Sequence, residues 1–345
     1  MTRTHGWAWL ARWLPIALVA CAGRAPPAAQ TVAAVTPRQD EANASATQRA
    51  ETPRLVGRIW DTRARTFVAE ESVISRAALA RFVLLGEMHD NPDHHRLQAL
   101  VLERLVEARR RPRVALEMLD VDAQPTVDAY VANPAATASG FGAAVGWDKS
   151  GWPSFADYAP IFEVAFAARL PIVAANLEHD RARALVHDGL SALSPERAAA
   201  LELARPFPPA LERALEEELG ADHCGMLPSS LLAPMALAQH GRDAQMARVL
   251  LEGGRDVPAV LIAGGGHVRR DRGVPYYLAL NGETSVLALD FVEVQADETE
   301  PSRYAPAAPD GAPAVDFVWF TPRANDDDPC KAFTHAPGST ARAFP

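Results

Sequence analysis

From Leu55 onward, short apolar runs alternate with longer amphipathic stretches. The runs RFVLLGE (81–87), RVALEM (113–118), LPIVAAN (170–176), PAVLIAG (258–264) and TSVLALD (284–290) are nearly continuous in hydrophobicity and bounded by turn residues. Continuous rather than alternating runs suit strands covered on both faces. VDFVWF (315–320) reads as a late sixth strand and LVGRIW (55–60) as another near an edge. Helical signals lie between them. Asn91 is placed to cap, Pro92 takes the first helical position, and Asp93 favours the positive helix end. Leu97, Leu100, Val101, Leu105 and Ala108 then recur at helical spacing. Residues 156–168, 195–204 and 231–251 read similarly.

This β–α alternation predicts an α/β fold, a mostly parallel sheet flanked by helices with right-handed crossovers. The interval 177–257 shows no convincing strand and reads as a helical insertion or subdomain. No internal repeat is visible. The body of the chain, 54–333, is long enough for one large domain with that insertion.

The ends of the chain differ in kind. Arg3 and Arg12 flank a short apolar core, WLPIALVA (13–20), which is too short to span a bilayer and reads as a signal peptide over 1–20. It runs into Leu18-Val19-Ala20-Cys21, which resembles the bacterial lipobox, where the cysteine is acylated. Lipid chains on Cys21 would attach the protein to a membrane through that anchor only. Residues 22–53 hold almost no large apolar side chain and read as a flexible tether spanning roughly 30 Å. The tail 334–345 reads as flexible too. Ala22 does not resemble an aspartate inner-membrane retention signal, so the expected location is the cell envelope, at the outer membrane.

The formal charge of −9 becomes −11 once Arg3 and Arg12 leave with the signal peptide, which argues against nucleic acid as a partner. Of three cysteines, acylation of Cys21 leaves Cys224 and Cys330, an even pair in an oxidising compartment, and a disulfide is expected. A Cys/His metal site at His223-Cys224 lacks the paired CxxC spacing of structural zinc.

In open parallel α/β sheets, ligands bind outside the carboxyl ends of the strands. The first run delivers Glu87 and His89 there, the second Glu117, the third Asn176 and Glu178, and the fourth Gly264-Gly265-Gly266-His267. Each alone suits a polar loop or a tight turn. Together they predict one shared site, with the histidines repeating one spacing, Gly-x-x-His. Imidazole with carboxylate suits zinc, manganese or iron. His89 and His267 would ligate such a metal with Glu87 or Glu117, and the remaining glutamate would serve a hydrolase as base. His94 and His95 are expected at the rim or behind the ligands rather than among them. In 231–251, Met235, Gln239, Arg242, Asp243 and Met246 share one helical face. That face suits either a core helix with an Arg–Asp pair or a cover over the strand-end site. No HExxH or GxSxG motif is present, and the third glycine of a dinucleotide fingerprint is missing, Arg269 standing there.

GEMHDNPDHHRLQ (86–98), ALEM (115–118), PIVAANLEHDRAR (171–183), QHGRDAQMA (239–247) and AGGGHVRRDRGVPYYL (263–278) resemble the ChaN family of haem-binding bacterial lipoproteins, in the wider Tiki/TraB and erythromycin-esterase-like superfamily. DHCGMLP (222–228) and VWFTP…DPC (318–330) also look like family segments. The resemblance implies haem binding linked to iron uptake, with haem held between two protomers of a homodimer. It also supports Glu87, His89, Glu117 and His267 as site residues. Gly265 departs from the family pattern, which usually has asparagine within the glycine run. Haem would need an axial histidine or tyrosine, with Tyr158, Tyr276 and Tyr277 near family-like segments, and cations for its propionates, such as Arg269, Arg270 and Arg272. The alternative function is a metal-dependent hydrolase built on the two Gly-x-x-His motifs.

Overall fold

The computed structural model describes residues 54–326 and Cys330. The expectations for 1–53, including the signal peptide, Cys21 and the tether, lie outside those residues, as does the tail 334–345. The run Phe82–Glu87 forms β3, near the middle of an eight-stranded sheet. In chain order the preceding elements are β1 (Ile59–Asp61), β2 (Thr66–Val68) and helix α1 (Glu70–Leu79). After β3 come α2 (Pro92–Glu107), β4 (Arg113–Asp120), α3 (Gln124–Val131), α4 (Ala138–Ala144) and α5 (Phe155–Ala167). Then follow β5 (Ile172–Asn176), α6 (His179–Asp188), α7 (Pro195–Ala200), α8 (Pro209–Asp222) and α9 (Ser229–Glu252). The domain closes with β6 (Ala259–Gly264), α10 (Val274–Leu280), β7 (Val286–Glu293) and β8 (Phe317–Thr321).

The strand order is β2-β1-β8-β7-β3-β6-β4-β5. The six strands from β8 to β5 run parallel, and β1 and β2 add antiparallel at one edge. Continuous apolar runs fit this centre because both faces are covered. On one face α6, α9 and α10 share a hydrophobic layer with Leu84, Ala115, Leu261 and Ala288. On the other, α1 to α5 pack over Val83, Leu85, Leu116 and Ile262. The helical interval 177–257 is therefore helical as expected, but Leu185 of α6 and Met246 of α9 lie in the same layer as the strands.

Three features differ from the reading of the sequence. The helix expected over 195–204 stops at Ala200, and Glu202 takes a left-handed φ of 58°. Strand β2 has three residues, too few for a period to register. Helices α1, α3, α4 and α10 have ten residues or fewer, which is about the length where periodicity loses force. Asn91 does cap α2, its side chain accepting from the Asp93 N–H at 2.9 Å, with Pro92 at the first position. Cys224, just beyond α8, is bonded to Cys330, beyond β8, with 5.6 Å between their Cα atoms. No helix among the described residues is long and apolar enough to cross a membrane.

Candidate functional site at the strand ends

Parallel pairing sets the depth of the site. Glu87 of β3 lies opposite Gly264 of β6, and Leu116 of β4 lies opposite Ile262. Glu87, Glu117 and the Gly264–His267 turn therefore end at one level. The pairing of β4 with β5 slips between Leu116 and Asp120, a bulge of the kind that re-aims side chains beside functional sites. Glu117 sits in that slip.

Two clusters form there, one towards each face. On the α2 and α5 side, Glu87 is wholly buried. Its Oε1 accepts from the Tyr158 hydroxyl at 2.6 Å and lies 2.8 Å from His89 Nδ1. Its Oε2 lies 3.5 Å from His95 Nε2, and the His95 ring stacks on Tyr158 with centroids 3.8 Å apart. Burial alone would raise the Glu87 carboxyl, but the hydrogen bond with His89 and the contact with His95 hold it down at about 2. Tyr158 is pushed up by burial and by the carboxylate beside it, so it stays a neutral donor.

On the α9 side, Glu117 is also buried. Oε1 pairs with Arg242 and lies 3.1 Å from His267 Nε2, while Oε2 accepts the Gly264 N–H at 2.7 Å. His267 Nδ1 lies 2.7 Å from Asp243 Oδ1, and the Gln239 amide reaches the ring at 3.3 Å. Arg242 also donates from Nε to Asn176 Oδ1 at 3.1 Å. Burial works against a charge on His267, but Glu117 and Asp243 outweigh it and raise the imidazole to about 9. Burial raises the Glu117 carboxyl in turn, and the His267 and Arg242 charges overcome that and hold it well below the usual range.

His89 links the clusters. Its Nε2 stands 3.9 Å from Glu117 Oε2. The backbone of Gly264 makes room for this approach, since a Cβ there would meet His89 Nε2 at 2.9 Å. Burial lowers the His89 pKa, but Glu117 and Glu87 raise it overall. Its side chain is 29% exposed, against 5% for His267. The Trp152 ring lies edge-on to it at 4.8 Å.

On the far side of Trp152, the ends of β4 and β5 and the loop 145–152 border a cavity of about 420 Å³, lined by Met118, Trp147, Trp152, Asn176 and Arg242 among others, with His89 outside the lining. Trp147 and Trp152 are missing from the sequence reading. Two tryptophans five residues apart in the loop WDKSGWPS are the signal that would have found them, since large aromatics seldom sit in a polar loop without a contact to make.

The structure thus brings Glu87, His89, Glu117, His267 and Tyr158 together. The α9 face does close over the site, but Arg242 pairs with Glu117 and Asp243 with His267 rather than with each other. His94 and His95, expected at the rim or behind the ligands, are fully buried, which excludes the rim and leaves His95 behind Glu87. His94 Nδ1 accepts the Met88 N–H at 2.9 Å and its Nε2 reaches Thr321 Oγ1 at 2.8 Å, and burial lowers its pKa to about 4. Tyr276 lies elsewhere, in a second cavity with Phe207, His240 and Tyr277. Arg269 is paired with Asp271 at 2.9 Å, Arg270 with Asp316 at 2.5 Å, and Arg272 with Glu218. Glu178 pairs with Arg197 at 3.3 Å.

The expected metal set converges as pairs of acid and base. Glu117 already receives Arg242, His267 and the Gly264 N–H. Among the described residues no group of three or more histidines, cysteines or carboxylates is arranged to hold a metal ion, and the metal alternative finds no support here.

A search of curated protein sequences finds no match. Among solved structures, ChaN of Campylobacter jejuni, recorded with cofacial haem binding, aligns over 76% of this chain and 95% of its own, with 22% identity and a TM-score of 0.57. A mutant of the erythromycin esterase EreC in its open conformation aligns over 64% and 72%, with 15% identity and a TM-score of 0.36. A MARTX toxin effector domain from Vibrio vulnificus aligns over 66% and 36%, with 18% identity and a TM-score of 0.35. The first of these supports the α/β fold. Residues 73–278, more than half of the sequence, match the family described as haem-binding uptake, Tiki superfamily, ChaN, and the chain belongs to that haem-binding family.

Proposed function

We propose that the protein binds haem beside His89 and serves haem and iron uptake at the bacterial cell envelope. The observation that carries this reading is a partly aromatic cavity whose wall residue Trp152 lies edge-on to an imidazole fixed at one nitrogen. Glu87 holds His89 Nδ1 at 2.8 Å, while Nε2 stands 3.9 Å from a Glu117 oxygen, beyond hydrogen-bond distance. A carboxylate that holds one imidazole nitrogen orients the other as a ligand. Met118, Leu119, Val145, Trp147, Trp152 and Leu177 supply the apolar, partly aromatic walls that a macrocycle needs. Haem, when bound, supplies the iron that His89 would ligate. Tyr158 is unsuited to that role, being fully buried with its hydroxyl given to Glu87.

Cofacial haem binding in the Campylobacter jejuni protein motivates a homodimer in which two such cavities face each other. Acylation of Cys21 would place this at a membrane surface, the outer membrane by the absence of a retention aspartate at Ala22. A metal-dependent hydrolase is the weaker alternative, because Glu87 and Glu117 are both committed to buried partners.

The test is a haemin titration of the purified full-length protein, followed by its Soret band, with size-exclusion chromatography before and after. A shifted Soret band that His89→Ala diminishes supports the reading. No Soret change in the wild type sinks it.

A further inference from the structure

The cavity bordered by Trp152, the ring that lies edge-on to His89, is lined by both apolar and charged side chains. Three features of the charged lining stand out. His179, Ala182 and Arg183, at i, i+3 and i+4 of α6, all line it, so one face of that helix is turned to the cavity. Lys149 lines it from the loop between α4 and α5. That loop is held in place. Trp147 is 2% exposed and its indole N–H donates to the Pro153 carbonyl at 2.8 Å, while the Ser150 hydroxyl donates to the Trp147 carbonyl at 2.7 Å. Gly146 and Gly151 take the left-handed φ values of 72° and 89° that let the loop turn sharply on either side of Lys149.

The other cations near the strand ends are already matched. Arg242 is engaged by Glu117 and Asn176, Arg269 by Asp271, Arg270 by Asp316 and Arg272 by Glu218. Lys149 and Arg183 line the cavity and make no ion pair among the described residues. Two carboxylates also border the cavity, Asp120 and Asp122. Asp120 is occupied, accepting the His179 N–H at 2.9 Å, and burial followed by Asp122 raises its pKa. Asp122 is exposed to solvent.

We infer that Lys149 and Arg183 form the carboxylate-recognising end of this cavity, so that its ligand is a planar apolar molecule bearing carboxylates, which these two cations receive. This rests on the haem reading and names the residues that take the propionates, displacing Arg269 and Arg270 from that role. Lysine and arginine suit carboxylate as a point charge and a planar fork respectively. Lys149 and Lys331 are the only lysines of the chain, and the remaining cationic side chains are arginines.

The scarcity of lysine supplies a direct assay. Full-length protein is acetylated with an amine-reactive ester, with and without haemin, and modification is read peptide by peptide by mass spectrometry. Haemin should protect Lys149 and leave Lys331 modified. In parallel, haemin and haemin dimethyl ester are titrated into wild type and into K149Q/R183Q. Both side chains are exposed, so solvent screens their pairing and the double variant should lose about tenfold in haemin affinity. Its affinity for the dimethyl ester should equal that of the wild type. Equal haemin affinity in both proteins overturns the inference, as does an equal loss for haemin and its ester, which would make the two side chains mere walls of the cavity. Absence of any Soret change in the wild type is a different result, because it overturns the haem reading itself.

Discussion

On the α2 and α5 side of the strand ends, Glu87 is buried with no arginine beside it, against a tyrosine hydroxyl and two histidines, one of them opening to solvent. On the α9 side, Glu117 is buried against a guanidinium, and its histidine is shut in by a second carboxylate. The two clusters pair a glutamate with a Gly-x-x-His histidine at the same level of the sheet, yet they are suited to different tasks. A histidine with one nitrogen held and its edge exposed can take a ligand. A histidine clamped between Glu117 and Asp243 has both nitrogens engaged and holds β6 and α9 together. The repeated motif is therefore no guide to a repeated role.

The largest expected effect separates the two glutamates. Glu117→Gln leaves Arg242 and His267 as buried charges with one fewer anion, which typically costs about 3–5 kcal/mol. Glu87→Gln leaves no buried arginine unmatched and should cost about 1–3 kcal/mol, the range for a disturbed buried hydrogen bond. Urea unfolding of both variants measures the gap. Equal losses would break the comparison, because they would mean that Arg242 does not depend on Glu117.

The next effect is one of pH. His267 is raised from its ordinary 6.5 to about 9 in the folded protein. A raised histidine binds its proton more tightly when folded. Its contribution is therefore complete below pH 6.5 and is lost as pH climbs towards 9. A shift of this size corresponds to about 3 kcal/mol. Unfolding free energies at pH 6, 7, 8 and 9 should fall across that window. Asp243→Asn should flatten the fall by removing one of the two anions that hold the proton. A wild-type profile flat from pH 6.5 to 9 would show that His267 is neutral throughout.

Tyr158→Phe tests the other cluster with a smaller change. The ring and its stacking on His95 at 3.8 Å stay, and only the hydroxyl donated to Glu87 goes. Loss of one donor to a buried carboxylate should cost about 1.5–3 kcal/mol, since bonds to charged groups exceed the neutral average. Calorimetry of this variant against wild type reads it. No change in unfolding temperature would mean that the hydroxyl finds another role or that water replaces it.

The strands of this fold were legible because buried parallel strands carry an unbroken apolar signal, and Glu87, His89, Glu117 and His267 were legible because they end those strands. What could not be read was partnership. Arg242 and Asp243 are adjacent in sequence, which suggests a pair, but one turns to Glu117 and the other to His267. Likewise His94 and His95 looked peripheral because they begin a helix, whereas α2 packs that first turn against Thr321 and Tyr158 from distant parts of the chain. The arginines of Arg269-Arg270-Asp271-Arg272 looked free to receive propionates for the same reason, the partners Glu218 and Asp316 lying dozens of residues away. Such choices are made by tertiary contact and leave no local period. The tryptophan-bearing loop 145–152 had no period to detect either, being a loop.

His89→Ala should have the smallest effect on stability and the clearest one on binding. The side chain is partly exposed, and Glu87 keeps the Tyr158 hydroxyl as a donor and His95 at 3.5 Å when it is removed. Its removal should cost about 1 kcal/mol, close to the mean for a single hydrogen bond. Haemin binding, by contrast, should lose its ligand field, and the Soret band of the complex should move to that of non-specifically bound haemin. His267→Ala should show the reverse pattern, a large loss of stability with haemin binding retained by whatever fraction stays folded. Running both variants through the same urea series and the same haemin titration sets the two histidines against each other directly. If His267→Ala abolishes the Soret shift while remaining folded, and His89→Ala preserves it, the roles assigned to the open and the sealed cluster are exchanged.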